Sequence, residues 1–118
     1  MSETIASVEI ETAAKVLKLL GDKTRLAMMA MLAEDECCVC EFVELFEMSQ
    51  PSVSQHLRKL RDVGLVEENR KGQWIFYRIN KNHETYLFVH SLLQYLPSQK
   101  ERLNDLEQRG LRVSCCSD

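Results

Sequence analysis

Ser49-Gln50-Pro51-Ser52-Val53-Ser54-Gln55-His56-Leu57-Arg58-Lys59-Leu60 carries the clearest structural signature in this 118-residue chain. Ser49 is a good N-cap, and Pro51 is tolerated in a first helical turn. Val53, Leu57, Leu60 and Val63 follow at spacings of four, three and three, the apolar stripe of a helix that Gly64 ends. The other face offers Gln50, Ser52, Ser54, Gln55, His56 and Lys59, with Arg58 beside them. Short hydroxyl and amide side chains of this kind reach base edges or phosphates in a major groove without clashing.

Downstream, Leu65–Asn69 and Gln73–Ile79 flank a turn expected around Arg70-Lys71-Gly72. Two β-rich runs around such a turn predict a hairpin. This reading puts Arg70 and Lys71 at its tip, where they would grip a nucleic-acid backbone or minor groove. Upstream, Glu41–Glu47 reads as a short helix burying Phe42, Leu45 and Phe46, preceded by a polar turn at Glu34-Asp35-Glu36. A helix over Lys23–Ala33, capped by Asp22, turns Leu26, Met29, Ala30 and Leu32 inward. Apolar residues at helical spacing predict a first helix over Ile5–Leu20, ended by Gly21. Beyond the hairpin, a long helix is expected over His83–Leu96, broken by Pro97, then a more exposed helix over 98–109 and a loose tail.

Short helix, turn, polar-faced helix, basic hairpin is the order of a winged helix-turn-helix. The expected class is mainly α with a β-hairpin wing (α+β). Residues 1–97 are expected to form the DNA-binding and dimerisation domain, and 98–118 a C-terminal helix and cysteine-containing tail.

The charge distribution agrees. The chain is −3 overall, yet residues 50–81 carry seven Lys and Arg against three Asp and Glu. A basic segment on an acidic body faces phosphate while the body resists non-specific binding. No run approaches the roughly 20 apolar residues of a membrane span. Met1-Ser2-Glu3-Thr4 lacks the charge and apolar core of a signal peptide, so a cytoplasmic location and no membrane partner are expected.

Cytoplasmic thiols stay largely reduced, which argues against a disulfide framework. The five cysteines cluster, as Cys37, Cys38 and Cys40 and as Cys115 and Cys116. Clustering serves ligation, and core packing does not require it. Within a regular helix, residues two apart point roughly 200° apart. Cys38 and Cys40 would then meet one ion only if the start of the short helix distorted, whereas Cys37 and Cys40 would share a face. Thiolates favour soft ions. Cys37-Cys38-Val39-Cys40 is formally Cys-x-x-Cys, but a thiol oxidoreductase needs a thioredoxin-like strand-helix setting, and helices are expected around it. No Ser-His-Asp set, phosphate-cradling glycine loop or paired-carboxylate site stands out, so no enzyme is expected.

Three stretches closely resemble the ArsR/SmtB family of metal-responsive bacterial repressors. They are Leu20-Gly21-Asp22-Lys23-Thr24-Arg25-Leu26, Ser49–Leu60 with Gly64-Leu65-Val66, and Gly72–Ile79. The resemblance covers about residues 12–96. It implies a homodimer built on the first helix and the helix after the wing, with recognition helices in successive major grooves of a palindromic operator. Cys37-Cys38-Val39-Cys40-Glu41-Phe42 is similar to the Leu-Cys-Val-Cys-Asp-Leu signature of the arsenic- and cadmium/lead-sensing branches, which implies Cys38 and Cys40 as a ligand pair. Cys37 stands where leucine is usual, and Val43 where arsenic sensors often carry a third cysteine. Cys37, Cys115 and Cys116 are the candidates for a third thiolate. Trivalent arsenic or antimony fits three sulfurs; cadmium, lead or zinc are the alternatives, as is a thiol-redox trigger. His83 and His90 fall where zinc-sensing members hold metal, but the full carboxylate–histidine set is not matched.

Overall fold

The computed structural model describes residues 7–112. It contains α1 (Ile10–Leu20), α2 (Lys23–Leu32), β1 (Cys37–Cys38), α3 (Val39–Phe46), α4 (Gln50–Val63), β2 (Val66–Lys71), β3 (Trp74–Ile79), α5 (Tyr86–Leu93) and α6 (Lys100–Gln108). The winged helix-turn-helix order is present, with β1 added as a third strand. The antiparallel sheet runs β1-β3-β2, with Cys37 opposite Tyr77 and Cys38 opposite Phe76. Among the described residues, no helix is long and apolar enough to cross a membrane.

Local chemistry explains the boundaries. Asp22 accepts the Arg25 N–H at 3.0 Å to open α2. The Ser49 hydroxyl accepts the Ser52 N–H at 3.3 Å to open α4. At its end Gly64 takes φ 97°, and Leu65 N–H closes back on the Leu60 carbonyl at 3.0 Å, the Schellman pattern.

α2 is the central helix. Met28, Met29, Ala30, Met31 and Leu32 are all buried, so it packs on more than one side. Periodicity had selected Met29, Ala30 and Leu32 and omitted Met28 and Met31, because a one-faced template describes a surface helix. Val16 and Leu20 of α1, Phe42 of α3, Val53, Leu57 and Leu60 of α4, and Val89 and Leu93 of α5 complete the core. Leu103 of α6 joins the same cluster.

Four expectations need correction. The first helix starts at Ile10, and residues 7–9 are not helical; Ile5 and Ala6 lie outside the described residues. The short helix begins two residues earlier than expected, at Val39, because Cys38 caps it. The hairpin turns at Gly72-Gln73, so Arg70 and Lys71 end strand β2. A two-residue loop with Gly72 at φ 61° in its first position suits the strand twist better than the three-residue turn expected. The helix after the wing is short, starting at Tyr86. The His83 Nδ1 lies 2.9 Å from the Thr85 hydroxyl and accepts the Thr85 N–H at 3.1 Å, which forms a turn before it.

Gly64 provides a direct test. A Cβ there would meet His83 Cδ2 at 2.6 Å, and the left-handed backbone itself costs a side chain about 1–2 kcal/mol. Gly64→Ala is expected to lower stability by at least that amount, read as a reduced urea midpoint with unchanged slope.

Candidate functional site

The chain switches from extended to helical between Cys38 and Val39. Cys38 has φ −83° and ψ 154° and belongs to β1, while Cys40 is the second residue of α3. The 200° separation of a regular helix therefore does not apply. The Cys40 Sγ lies 3.2 Å from the Cys38 Sγ and donates to it. The distortion expected from helical geometry is not required, because the sulfurs already sit side by side. Cys37 does not share their face. It is fully buried in the core, its Sγ directed to the Asp35 carbonyl at 3.6 Å. Neighbouring strand residues point to opposite faces, and Cys37 and Cys38 are such neighbours.

Glu41 holds this junction together. Its carboxylate accepts the Cys38 N–H at 2.7 Å, the reaching-back half of a capping box. The side chain is fully buried, and its other oxygen accepts from Arg112 Nη1 at 2.8 Å. Arg112 also donates to Asp35 at 2.8 Å. Neither Glu41 nor Arg112 was singled out from the sequence. A glutamate three residues after a cap was the available signal, but cysteine is not a usual cap residue, and Arg112 lies 71 positions away.

Partial burial, then the hydrogen bond with Cys38, pushes the Cys40 thiol up to about 12. Burial, then the Glu41 carboxylate, raises that of Cys37. Cys37 and Cys40 are therefore protonated at neutral pH. Among the described residues, no three His, Cys, Asp or Glu side chains gather as a metal-binding group. Cys115 and Cys116 lie outside the described residues.

The sulfur pair opens on a cleft of about 440 Å³ between α4 and the wing. Val43, Ile75 and Trp74 form its apolar side, and Gln50, Ser54 and Arg58 belong to its α4 side. The polar face of α4 is presented as the sequence suggests, with differences. Gln50, Gln55, Arg58 and Lys59 are exposed, while Ser52 and Ser54 are half-buried. The Ser52 hydroxyl is tied to that of Ser49 at 3.0 Å. His56 is half-buried, and its Nδ1 lies 3.2 Å from Arg25 Nη1, whose Nε holds the Leu19 carbonyl at 2.7 Å. Arginine only donates, so Nδ1 accepts, and His56 also ties α4 to the α1–α2 corner. Arg70 is exposed; Lys71 leans on the body, 3.4 Å from Glu36 and over the Phe76 ring. His83 packs beside Gly64, and exposed His90 lies over Tyr86.

Comparison with known proteins agrees with the winged helix-turn-helix fold. The family described as "Bacterial regulatory protein, arsR family" matches residues 22–68. Arsenic resistance transcriptional regulator ArsR1 of Pseudomonas putida is 47% identical over 73 residues, covering 61% of this chain and 57% of that protein. Regulator ArsR2 of the same organism is 36% identical over 110 residues, covering 86% and 94%. Reduced HlyU from Vibrio cholerae superposes with TM-score 0.65 at 32% identity, covering 74% of this chain and 92% of that one.

Two outcomes follow. Arg112→Ala leaves a buried carboxylate without its guanidinium and should cost about 3 kcal/mol, measured by urea unfolding. Cys40 should react with iodoacetamide more slowly in the native than in the unfolded chain at pH 8, and the native rate should keep climbing through pH 10, because its raised pKa depletes the reactive thiolate.

Proposed function

Because this chain belongs to the arsR family of bacterial regulatory proteins, which are DNA-binding transcriptional regulators and not enzymes, we propose that it is a metalloid-responsive repressor. In this reading it binds operator DNA as a homodimer and lets go when trivalent arsenic or antimony bonds to Cys38 and Cys40. The observation that carries the reading is the 3.2 Å sulfur pair opening on a cleft shared with the recognition helix.

The chemistry favours a metalloid hydroxide. Each bond formed between arsenic and sulfur releases one hydroxide from arsenic and one proton from a thiol, which leave together as water. A divalent thiophilic cation instead sheds its protons to solvent and usually seeks three or four ligands.

Release follows from position. Cys38 belongs to the strand that pairs with the wing, and Cys40 to the helix preceding α4. An ion across them occupies the space beside Gln50, Ser54 and Arg58, between the two elements that would straddle the duplex. It must bind the DNA-free arrangement more tightly, and typical couplings of about 1–3 kcal/mol give 5–150-fold changes in affinity. Exposed Ile10 and Leu17 on α1, and Leu87 and Tyr95 on and just after α5, support the proposed dimer contact.

The test is fluorescence anisotropy on a duplex selected from a random pool. Arsenite should release the parent protein. Cys38→Ser and Cys40→Ser should bind the duplex equally well and ignore arsenite; a parent indifferent to arsenite, or responsive variants, would overturn the reading. Lys59→Ala should weaken binding across sequences and reduce the salt slope by about 1.

A further inference from the structure

We propose that Arg25 is a positioning residue for operator recognition: it fixes the His56 imidazole as a single-proton donor, whose Nε2–H seeks a hydrogen-bond acceptor on the duplex. The inference rests on operator binding by α4 and not on the identity of the inducing ion. Arg25 Nη1 lies 3.2 Å from His56 Nδ1. A guanidinium has donors only, so Nδ1 accepts and the neutral ring carries its proton on Nε2. The two ring nitrogens point in divergent directions, so Nε2 is turned away from Arg25. Among the described residues no hydrogen bond reaches Nε2, and no buried side-chain nitrogen is left without a partner. Nε2 therefore meets solvent.

The place of His56 on α4 suits this division. Its helical neighbours Val53 and Leu60 are buried, while Ser52 and Lys59, on its other side, are half-buried and exposed. The ring thus has one nitrogen for the body of the protein and one for whatever lies against the helix. Histidine χ2 is a broad, two-fold torsion, so an unheld ring turns either edge outward. Arg25 removes that freedom because it is itself held. Its Nε donates to the Leu19 carbonyl at 2.7 Å, near the end of α1, and its backbone N–H to Asp22 at 3.0 Å. The ring is oriented from the α1–α2 corner, outside its own helix.

A fixed donor carries specificity. In the major groove Nε2–H can serve purine N7, guanine O6 or thymine O4, and on the backbone a phosphate oxygen. Against the amino groups of adenine or cytosine it sets donor against donor, and both groups lose water without gaining a partner. The opposite tautomer would present a bare nitrogen and reverse that preference. Arg25 reaches no base in this arrangement, yet it decides which groups His56 accepts as partners.

The experiment uses the full chain and a duplex selected from a random pool. Marks are placed one at a time along the duplex: base analogues lacking N7, O6 or O4, and methylphosphonates. The parent should lose about tenfold in affinity at one mark, and His56→Ala should lose nothing further there. Whether that mark is a base analogue or a methylphosphonate tells a base edge from a phosphate. Arg25→Met should shrink the penalty at that mark to about threefold or less and keep the penalties at all others. A merely structural role would weaken binding without singling out one atom of the DNA. His56→Gln, with an amide nitrogen at the ε position, should retain the penalty, and His56→Asn should lose it. In the DNA-free parent, long-range 1H–15N NMR at mildly alkaline pH should show a bare Nδ1 and a protonated Nε2. His56→Gln identifies that ring among the three histidines. A proton on Nδ1, the lack of any mark whose penalty depends on His56, or an Arg25→Met chain that keeps the full penalty there would overturn the inference. Failure to select any duplex would remove the operator-binding reading, and the ring signature, read without DNA, separates that failure from this one.

Discussion

A buried carboxylate governs the functional end of this molecule. Glu41 accepts the Cys38 N–H, and that bond fixes the residue at which extended chain becomes helix. With the switch there, sulfurs two positions apart fall on the same side. Moved one residue earlier, the switch would put both cysteines inside the helix, where residues two apart diverge. Burying a carboxylate is costly unless it is paired and hydrogen-bonded. Arg112 supplies the pairing from the far end of the described chain, and Cys38 supplies a backbone donor.

The junction is also where three elements meet. Cys38 lies opposite Phe76 in the central strand of the sheet, so β1 ties the thiols to the wing. Cys40 is in the first turn of α3, which passes through Glu47, at φ 52°, into the Ser49 cap of α4. The wing is held to α4 in turn: Arg61 bridges to Glu68 at 2.9 Å, and the Tyr77 hydroxyl donates to the same carboxylate at 2.7 Å. In the proposed reading, a ligand across the sulfur pair bears on an element joined to each surface that would face DNA. This is a short mechanical path, and it needs no unfolding of α3.

Much of this was legible in the sequence, and the exceptions have physical reasons. The recognition helix was readable because its cap, apolar stripe and terminating glycine agree with one another. The wing was readable because β-branched and aromatic residues flank a glycine. Strand β1 was not, since two residues contain no period to detect; only pairing with β3 makes Cys37–Cys38 a strand. That omission caused the largest misreading, for it put the cysteine pair into helical geometry. The helix after the wing was overextended because a long-range contact of His83 with Gly64 and a local bond to Thr85 outweigh helical spacing at its start. His56 carries the polar signature of a base-reading residue, yet it also serves a packing contact with Arg25 that spacing alone cannot reveal. The candidate ligand pair was named by resemblance, and its side-by-side arrangement became visible only in three dimensions.

The most direct measurement is X-ray absorption at the arsenic edge of the arsenite-loaded full chain, counting sulfur neighbours, with circular dichroism on the same sample. The account predicts two sulfurs, both lost in the Cys38→Ser/Cys40→Ser chain, with helix content unchanged by loading. Sulfur neighbours that survive that double substitution, or a loss of helix on loading, would contradict it.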